Sequence, residues 1–252
     1  MSTLTTGWEP STPDTDSLTA AAARAMADRA AAWAVAAGGT VRHVAGLVVA
    51  DALSPCVFLN TAVSVGPAGH EAARAADVGP DRACLLLTPH PTPDLRPDGL
   101  ELMGHPHFMV RAAGAGAPPP PPGVTVEEVR DPAGLEEWAD VLAAGFPSPA
   151  SPAPSGLLGG PARFWTARLD GHAVATALSW TGRGVVDVEC VATLPEYRRR
   201  GIGAAVTWAA TLADPALPAV LISSDDGHPV YRGMGYLPVS RWTLWYRPAR
   251  GA

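Results

Sequence analysis

Lysine is missing from this sequence: all 18 basic residues are arginine. That excludes a phosphate-binding loop of the Walker A kind, which needs lysine, and any lysine Schiff base. Cysteine is scarce. Cys56, Cys84 and Cys190 are far apart and odd in number, so they give neither a metal spacing nor a disulfide framework, and a reducing cytoplasm is the expected setting. An excess of positive charge is also lacking. The net charge is -6, so no general nucleic-acid or acidic-membrane partner is expected. No window reaches the roughly 18 unbroken apolar residues of a membrane span. The start, "MSTLTTGWEPSTPDTD", has neither a basic residue nor an apolar stretch, and reads as a polar lead-in (1–16) rather than a secretory signal. His105, His107 and His228 have no third ligand at metal spacing, so no metal site is expected.

What is present is enough apolar material for a sizeable core. The 252 residues are 47% hydrophobic, which allows one large domain or two smaller ones. "DSLTAAAARAMADRAAAWAVAAGG" predicts a helix capped by Asp16 or Ser17 and stopped by Gly38 and Gly39. The runs "HVAGLVVADAL", "CVFLNTAVSV", "ACLLLT" and "HFMVRA" read as strands, with a short helix in "AGHEAARAADVG". Five prolines at 118–122 then favour a stiff extended segment. The expected division is therefore 17–112, a linker at 113–123, and a second domain at 124–248.

That second domain reads as strand "VTVEEV", helix "DPAGLEEWADVLAAGF", strands "RFWTARLDGHAVATALSW" turning at Asp170-Gly171, and strand "GVVDVECVATL". Helix "GAAVTWAATLA" follows, with Val206, Ala209 and Leu212 inward. Strand "AVLISS", a brief helix "PVYRGMGY" and strand "RWTLWYR" complete it. This order predicts an α/β fold with a central mixed sheet and helices on its faces. Between a strand and a helix lies "EYRRRGIGAAV". Helix N-termini leave N–H groups unpaired and favour an anion, glycines let a phosphate oxygen approach the main chain, and arginines add charge-assisted bonds. The stretch suits a diphosphate.

"VATLPEYRRRGIGAAV", followed by "LISSDDGHPVYRGMGY", resembles the Gcn5-related N-acetyltransferase (GNAT) family. Arg198, Gly201 and Gly203 match its motif A, and Tyr231, Gly235 and Tyr236 its motif B. The resemblance covers about half the chain and implies a GNAT fold with acetyl-CoA as co-substrate. It further implies that the strand before motif A parts from its neighbour, so that Val191, Ala192 and Thr193 pair with the pantetheine arm. The diphosphate would then rest on Arg199, Arg200, Gly201, Ile202, Gly203 and Ala204, with Arg198 and its neighbours around the phosphates. Ser223 or Ser224 would touch the pantetheine or a water. Tyr231 would protonate the leaving thiolate, the alternative being a packed core tyrosine. Asp187 and Glu189, at period two with Val191, are candidates for the base; an ion pair with an arginine on a neighbouring strand is the other reading of Asp187. Trp165 and Trp180 either shape an acceptor pocket or belong to the core.

Residues 85–111 align without gaps to 221–247. Gly99 meets Gly235, Arg111 meets Arg247, Leu95 takes the place of Tyr231, and "SVGPAGHEAARAA" occupies the arginine–glycine slot. The first half thus looks like a truncated, degenerate GNAT half, as in tandem proteins of the family, with a homodimer left open. The expected function is acetyl-CoA-dependent N-acyl transfer to an unidentified small-molecule or peptide amine. The alternative is a non-catalytic acyl-CoA-binding or scaffolding module. The proline-rich 147–161 predicts a short irregular wall and an open acceptor entrance, with the first half free to cover part of that side.

Overall fold

The computed structural model describes residues 18–146 and 148–250; the expected lead-in 1–16, the expected cap at Asp16 or Ser17, and Pro147 lie outside them. The first half runs α1 (Leu18–Ala36), β1 (Thr40–Val44), β2 (Leu47–Asp51), β3 (Thr61–Ser64), α2 (His70–Ala75), β4 (Cys84–Thr88), β5 (Glu101–Gly104) and β6 (His107–Arg111). The second runs β7 (Val124–Val129), α3 (Pro132–Gly145), β8 (Ala162–Leu169), β9 (His172–Gly182), β10 (Val185–Thr193) and α4 (Ile202–Thr211). It ends with β11 (Ala219–Ser223), α5 (His228–Gly233), β12 (Leu237–Arg241) and β13 (Thr243–Arg247). The fold is α/β with two mixed sheets. No helix among the described residues is long and apolar enough to cross a membrane.

Local chemistry sets most boundaries. Asp131 accepts the Gly134 N–H at 2.8 Å and Pro132 occupies the first turn of α3. "HVAGLVVADAL" is a hairpin rather than one strand, because Ala45 and Gly46 both take positive φ and close a two-residue turn. α4 presents Ile202, Ala205, Val206 and Ala210 to the core, whereas Ala209 and Leu212 are only half-buried. The inward face is set by Ile202 at the first turn, and Leu212 lies past the helix end in a non-helical conformation.

The strand orders are β1-β2-β3-β4-β13-β5 and β12-β6-β11-β10-β9-β8-β7. Each half therefore lends a strand to the other sheet. β6 pairs with β11 and β12, and β13 pairs with β4 and β5. The expected linker, 113–123, is extended chain without helix or strand, but it does not divide the sheets.

The exchange is reciprocal in detail. In β12–β6, Pro238 pairs with Met109 and Ser240 with Phe108, skipping Val239. In β5–β13, Leu102 pairs with Trp245 and Gly104 with Leu244, skipping Met103. Arg111 donates to the Met234 carbonyl and Arg247 to the Asp98 carbonyl, each at 3.3 Å. Gly99 and Gly235, at equivalent places, both take left-handed φ (80° and 87°). The crossing chains meet where the Trp242 N–H donates to the Pro106 carbonyl at 3.0 Å, with Trp242 fully buried against Phe108. β5 and β12 were not expected. Both are edge strands, and Pro238 sits on an edge where its missing N–H leaves no gap in a ladder.

α1 lies against β2 and β3 of its own sheet and against β9 and β10 of the other. Trp33 of α1 meets Trp138 of α3 and Phe164 of β8 in one buried cluster. α4 covers the opposite face of β8–β10 with Ile202 and Val206. The linker follows α4 back toward its start: Gly114 bonds the Pro215 carbonyl and Pro121 lies beside Gly201.

A single cut within 114–120 should leave β6 and β13 in their exchanged places. The nicked protein is expected to elute as one species on size exclusion under native conditions; two separately eluting folded fragments would contradict the exchange.

Candidate active site

β10 and β11 are parallel but pair only at Val186↔Ala219 and Asp187↔Val220. Both strands continue, β10 to Thr193 and β11 to Ser223, so the sheet opens between them. On its other edge β10 pairs with β9 up to Glu189↔Leu178 and resumes at Ala192↔Thr176. Cys190 and Val191 form a bulge opposite Ala177, with Cys190 at φ 53°. The bulge is supported from both sides: the Trp138 indole donates to the Ala177 carbonyl at 3.0 Å, and Thr176 Oγ1 to the Cys190 carbonyl at 3.3 Å.

Past the bulge, two glycines let helices close on β10. A Cβ on Gly145 at the end of α3 would stand 3.1 Å from Ala192 Cβ, and one on Gly203 would stand 2.9 Å from Thr193 Oγ1. The first turn of α4 is thereby held at the mouth of the opening. Among the described residues, no main-chain N–H from Arg199 to Ala204 donates to a protein acceptor. Six such donors lie in succession along the turn and the first residues of α4, where the helix dipole also favours negative charge.

The three arginines separate in role. Arg198 is engaged, donating to the Thr193 carbonyl at 3.1 Å and the Gly145 carbonyl at 2.8 Å; it ties β10 to α3. Arg199 and Arg200 are exposed and pair with no carboxylate among the described residues; Arg200 lies over the Tyr197 ring at 5.8 Å.

On the α1 face of β10 stand Asp187 and Glu189. Arg29 of α1 donates through Nε to Asp187 Oδ2 at 3.1 Å and through Nη2 to Glu189 Oε1 at 3.0 Å. The ion-pair reading of Asp187 thus holds, but the partner comes from a helix of the first half. Asp187 is fully enclosed and its Oδ1 has no partner, while the Glu189 side chain is 25% exposed. Burial pushes the Asp187 carboxyl up, Glu189 adds to this, and Arg29 opposes it. Burial works against the Arg29 charge, yet Glu189 and Asp187 outweigh it and strengthen the guanidinium's hold on its proton.

Tyr231, on α5, packs against Tyr236 with ring centroids 6.1 Å apart. Burial, and then the charge of Glu189, push its phenol up to about 12. Among the described residues its hydroxyl makes no hydrogen bond. Ser224 accepts the Gly227 N–H at 3.2 Å, which shapes the turn before α5, and Ser223 donates to the Ser224 carbonyl at 2.7 Å. Trp180 is in the core; Trp165 is half-buried and donates to Ser179 Oγ at 2.9 Å.

In the first sheet the corresponding strands stay together. β3 and β4 pair at Thr61↔Leu85, Ala62↔Leu86 and Val63↔Leu87, and β2–β3 has no register shift. Leu95 is fully buried in the slot of Tyr231.

Residues 133–236 match the family model described as "Acetyltransferase (GNAT) family". They form a GNAT acetyltransferase domain. A solved GCN5-related N-acetyltransferase from Kribbella flavida is 25% identical, with a TM-score of 0.67 over 92% of this chain and 97% of that one. A structure from Novosphingobium aromaticivorans described as a "Putative Acetyltransferase from the GNAT family" shares the fold at 20% identity, with a TM-score of 0.57 over 82% and 89% of the two chains. So does a functionally unknown conserved protein from Staphylococcus epidermidis, at 11% identity and a TM-score of 0.56 over 82% and 92%. No curated protein matches the chain.

The GNAT domain brings Val191–Thr193, Arg199–Ala204, Glu189 and Tyr231 around one opening, and turns Arg198 and Ser224 to local hydrogen bonds. Arg29 was not foreseen, being 158 residues from Asp187. A signal existed: it falls on the same helical stripe as buried Met26, Ala30 and Trp33, and a charge there requires a partner.

Gly203→Val should force α4 away from Thr193. We expect a destabilisation of about 1–3 kcal/mol from overpacking and at least a tenfold loss of acetyl-CoA affinity, read by thermal melting and calorimetry. Unchanged affinity in the folded variant would show that the diphosphate does not rest on this turn.

Proposed function

We propose that the second half transfers an acetyl group from acetyl-CoA to an amine by direct attack. The observation that carries this reading is the opening between β10 and β11 beside six N–H groups that have no protein acceptor among the described residues. Acetyl-CoA, as co-substrate, supplies the thioester. Val191, Ala192 and Thr193 offer an unpaired strand edge to the pantetheine arm, and the turn 199–204 receives the diphosphate. Arg199 and Arg200 are free to meet further phosphate oxygens, whereas Arg198 is committed to the main chain.

The acceptor approaches from the face of Glu189. Of the two carboxylates only Glu189 is reached by solvent, so it takes the amine proton, directly or through a water, as the C–N bond forms. Asp187 is sealed and holds the Arg29 Nε–H, which fixes the guanidinium in place. As the C–S bond breaks, Tyr231 gives its proton to the sulfur. Its raised phenol stays protonated throughout the neutral range, which a general acid requires.

The acceptor side is walled by the irregular segment 148–161 and by the first half. One 3-10 turn, Ser155–Leu157, is its only helical element; Leu157 is buried, and Ser54 Oγ bonds Ser151 Oγ at 2.8 Å. The short irregular wall matches the sequence-based expectation. The first half packs beside it: Phe58 meets Phe146, the residue that follows α3, with ring centroids 5.2 Å apart.

Free-thiol release across a panel of amines tests the reading. Turnover with at least one acceptor is expected; tight acetyl-CoA binding without turnover on any would favour a binding module. Tyr231→Phe should retain acetyl-CoA affinity and lower kcat by about 10²–10⁴-fold. Wild-type kcat in that variant would assign the proton to water or another group.

A further inference from the structure

We propose that Arg29, on the helix of the first half, is the positioning residue for the base of the second: its guanidinium holds Glu189 and Asp187 apart in role, fixing Glu189 as the ionised group that meets the acceptor. This rests on the reading of Glu189 as base.

Two carboxylates two residues apart on one face of a strand repel each other, and burial of one adds to the cost of charging both. Without a cation between them, the pair would hold a shared proton and neither member would be a dependable base. Arg29 removes that difficulty by geometry. Its planar fork sends Nε to Asp187 and Nη2 to Glu189, one nitrogen to each carboxylate, rather than gripping a single carboxylate with two. One Glu189 oxygen is consumed and the other is left toward the solvent-reached side, where the charge of Glu189 is felt by Tyr231.

The support for Arg29 is itself buried. Its side chain is 11% exposed, and Met26, Ala30 and Trp33 on the same stripe anchor α1 between the two sheets. Asp28, the preceding residue, also crosses to the second half, meeting Arg183 Nε at 2.6 Å. Among the described residues, the other titratable groups that bear on this acid pair are Cys190 on β10, itself beside Cys56, and Tyr231 and Tyr236 around α5. None of them is a cation, so α1 supplies the compensating charge for the pair. The first half, closed to coenzyme A by its intact β3–β4 ladder, then contributes to the reaction through one side chain.

The test compares wild type, Arg29→Met and Arg29→Lys in the full chain. The first readout is a carboxyl NMR titration of the Asp187–Glu189 pair, assigned with Asp187→Asn and Glu189→Gln; it reports with or without turnover. In Arg29→Met the pair should take up its first proton at least one pH unit higher than in wild type, about a tenfold gain in proton affinity. The acid limb of the kcat/KM profile should move in the same direction, with kcat lowered and acetyl-CoA affinity kept. Arg29→Lys keeps a cation in place and should return most of the shift. A folded Arg29→Met whose pair titrates where wild type does would overturn the proposal, reducing Arg29 to a packing role. Should Arg29→Met not fold, Arg29→Gln decides, since it keeps a polar group there but no charge: the same rise of at least one pH unit with a lower kcat is expected, and a wild-type titration and kcat would overturn the proposal. Full turnover in Glu189→Gln is a different failure, since it would remove the base assignment itself while leaving the titration result standing.

Discussion

Two parallel strands that stop pairing after one short contact make everything else in this protein usable. In a closed sheet the N–H and C=O groups of β10 would be satisfied by β11 and unavailable to a ligand. Here the ladder ends at Asp187↔Val220, and the bulge at Cys190 and Val191 bends β10 away. Open main chain inside a protein is costly unless water or a ligand meets it. α3 and α4 fix its width through the close approaches at Gly145 and Gly203.

The two halves show what that opening requires. Their edge pairings and bulges correspond residue for residue across the exchanged strands β6 and β13, and one carbonyl contact of Arg111 is matched by one of Arg247. Yet the first sheet keeps β3 against β4, has no bulge in β2–β3, ends α2 after six residues, and puts Leu95 where the second half has Tyr231. A shared architecture therefore does not carry the site. The site comes from the bulge, the longer α4 with its glycine start, and the polar groups around it. The exchange also means that neither sheet is complete without the other half, which explains how a half without an opening can still place α1 over β10.

Local chemistry was readable in the sequence. The strand, turn and helix around the arginines and glycines were legible because every part lies within a few residues, and the Asp131 cap and Asp170-Gly171 turn are likewise local. The unreadable parts depend on distance. Nothing in "HFMVRA" or "RWTLWYR" tells which sheet each strand joins, because the two segments are alike and either sheet offers an equivalent slot. Arg198 matches a family motif, yet its place beside Gly145 gives it carbonyls to bind. The contact of Arg29 with Asp187 and Glu189 needed α1 to be placed on the far sheet, although an arginine in an alanine-rich buried stripe already implied a hidden acid. The positive φ of Cys190 left no trace in residue type, since cysteine is not favoured there.

The central claim is that only the opened sheet holds acetyl-CoA. Hydrogen exchange of the full chain with and without saturating acetyl-CoA tests it most directly. Slower exchange is expected at 190–193 and 199–204, with 61–64 and 84–88 unchanged. Protection confined to the first half, or none at the β10–β11 opening while acetyl-CoA is bound, would contradict the account.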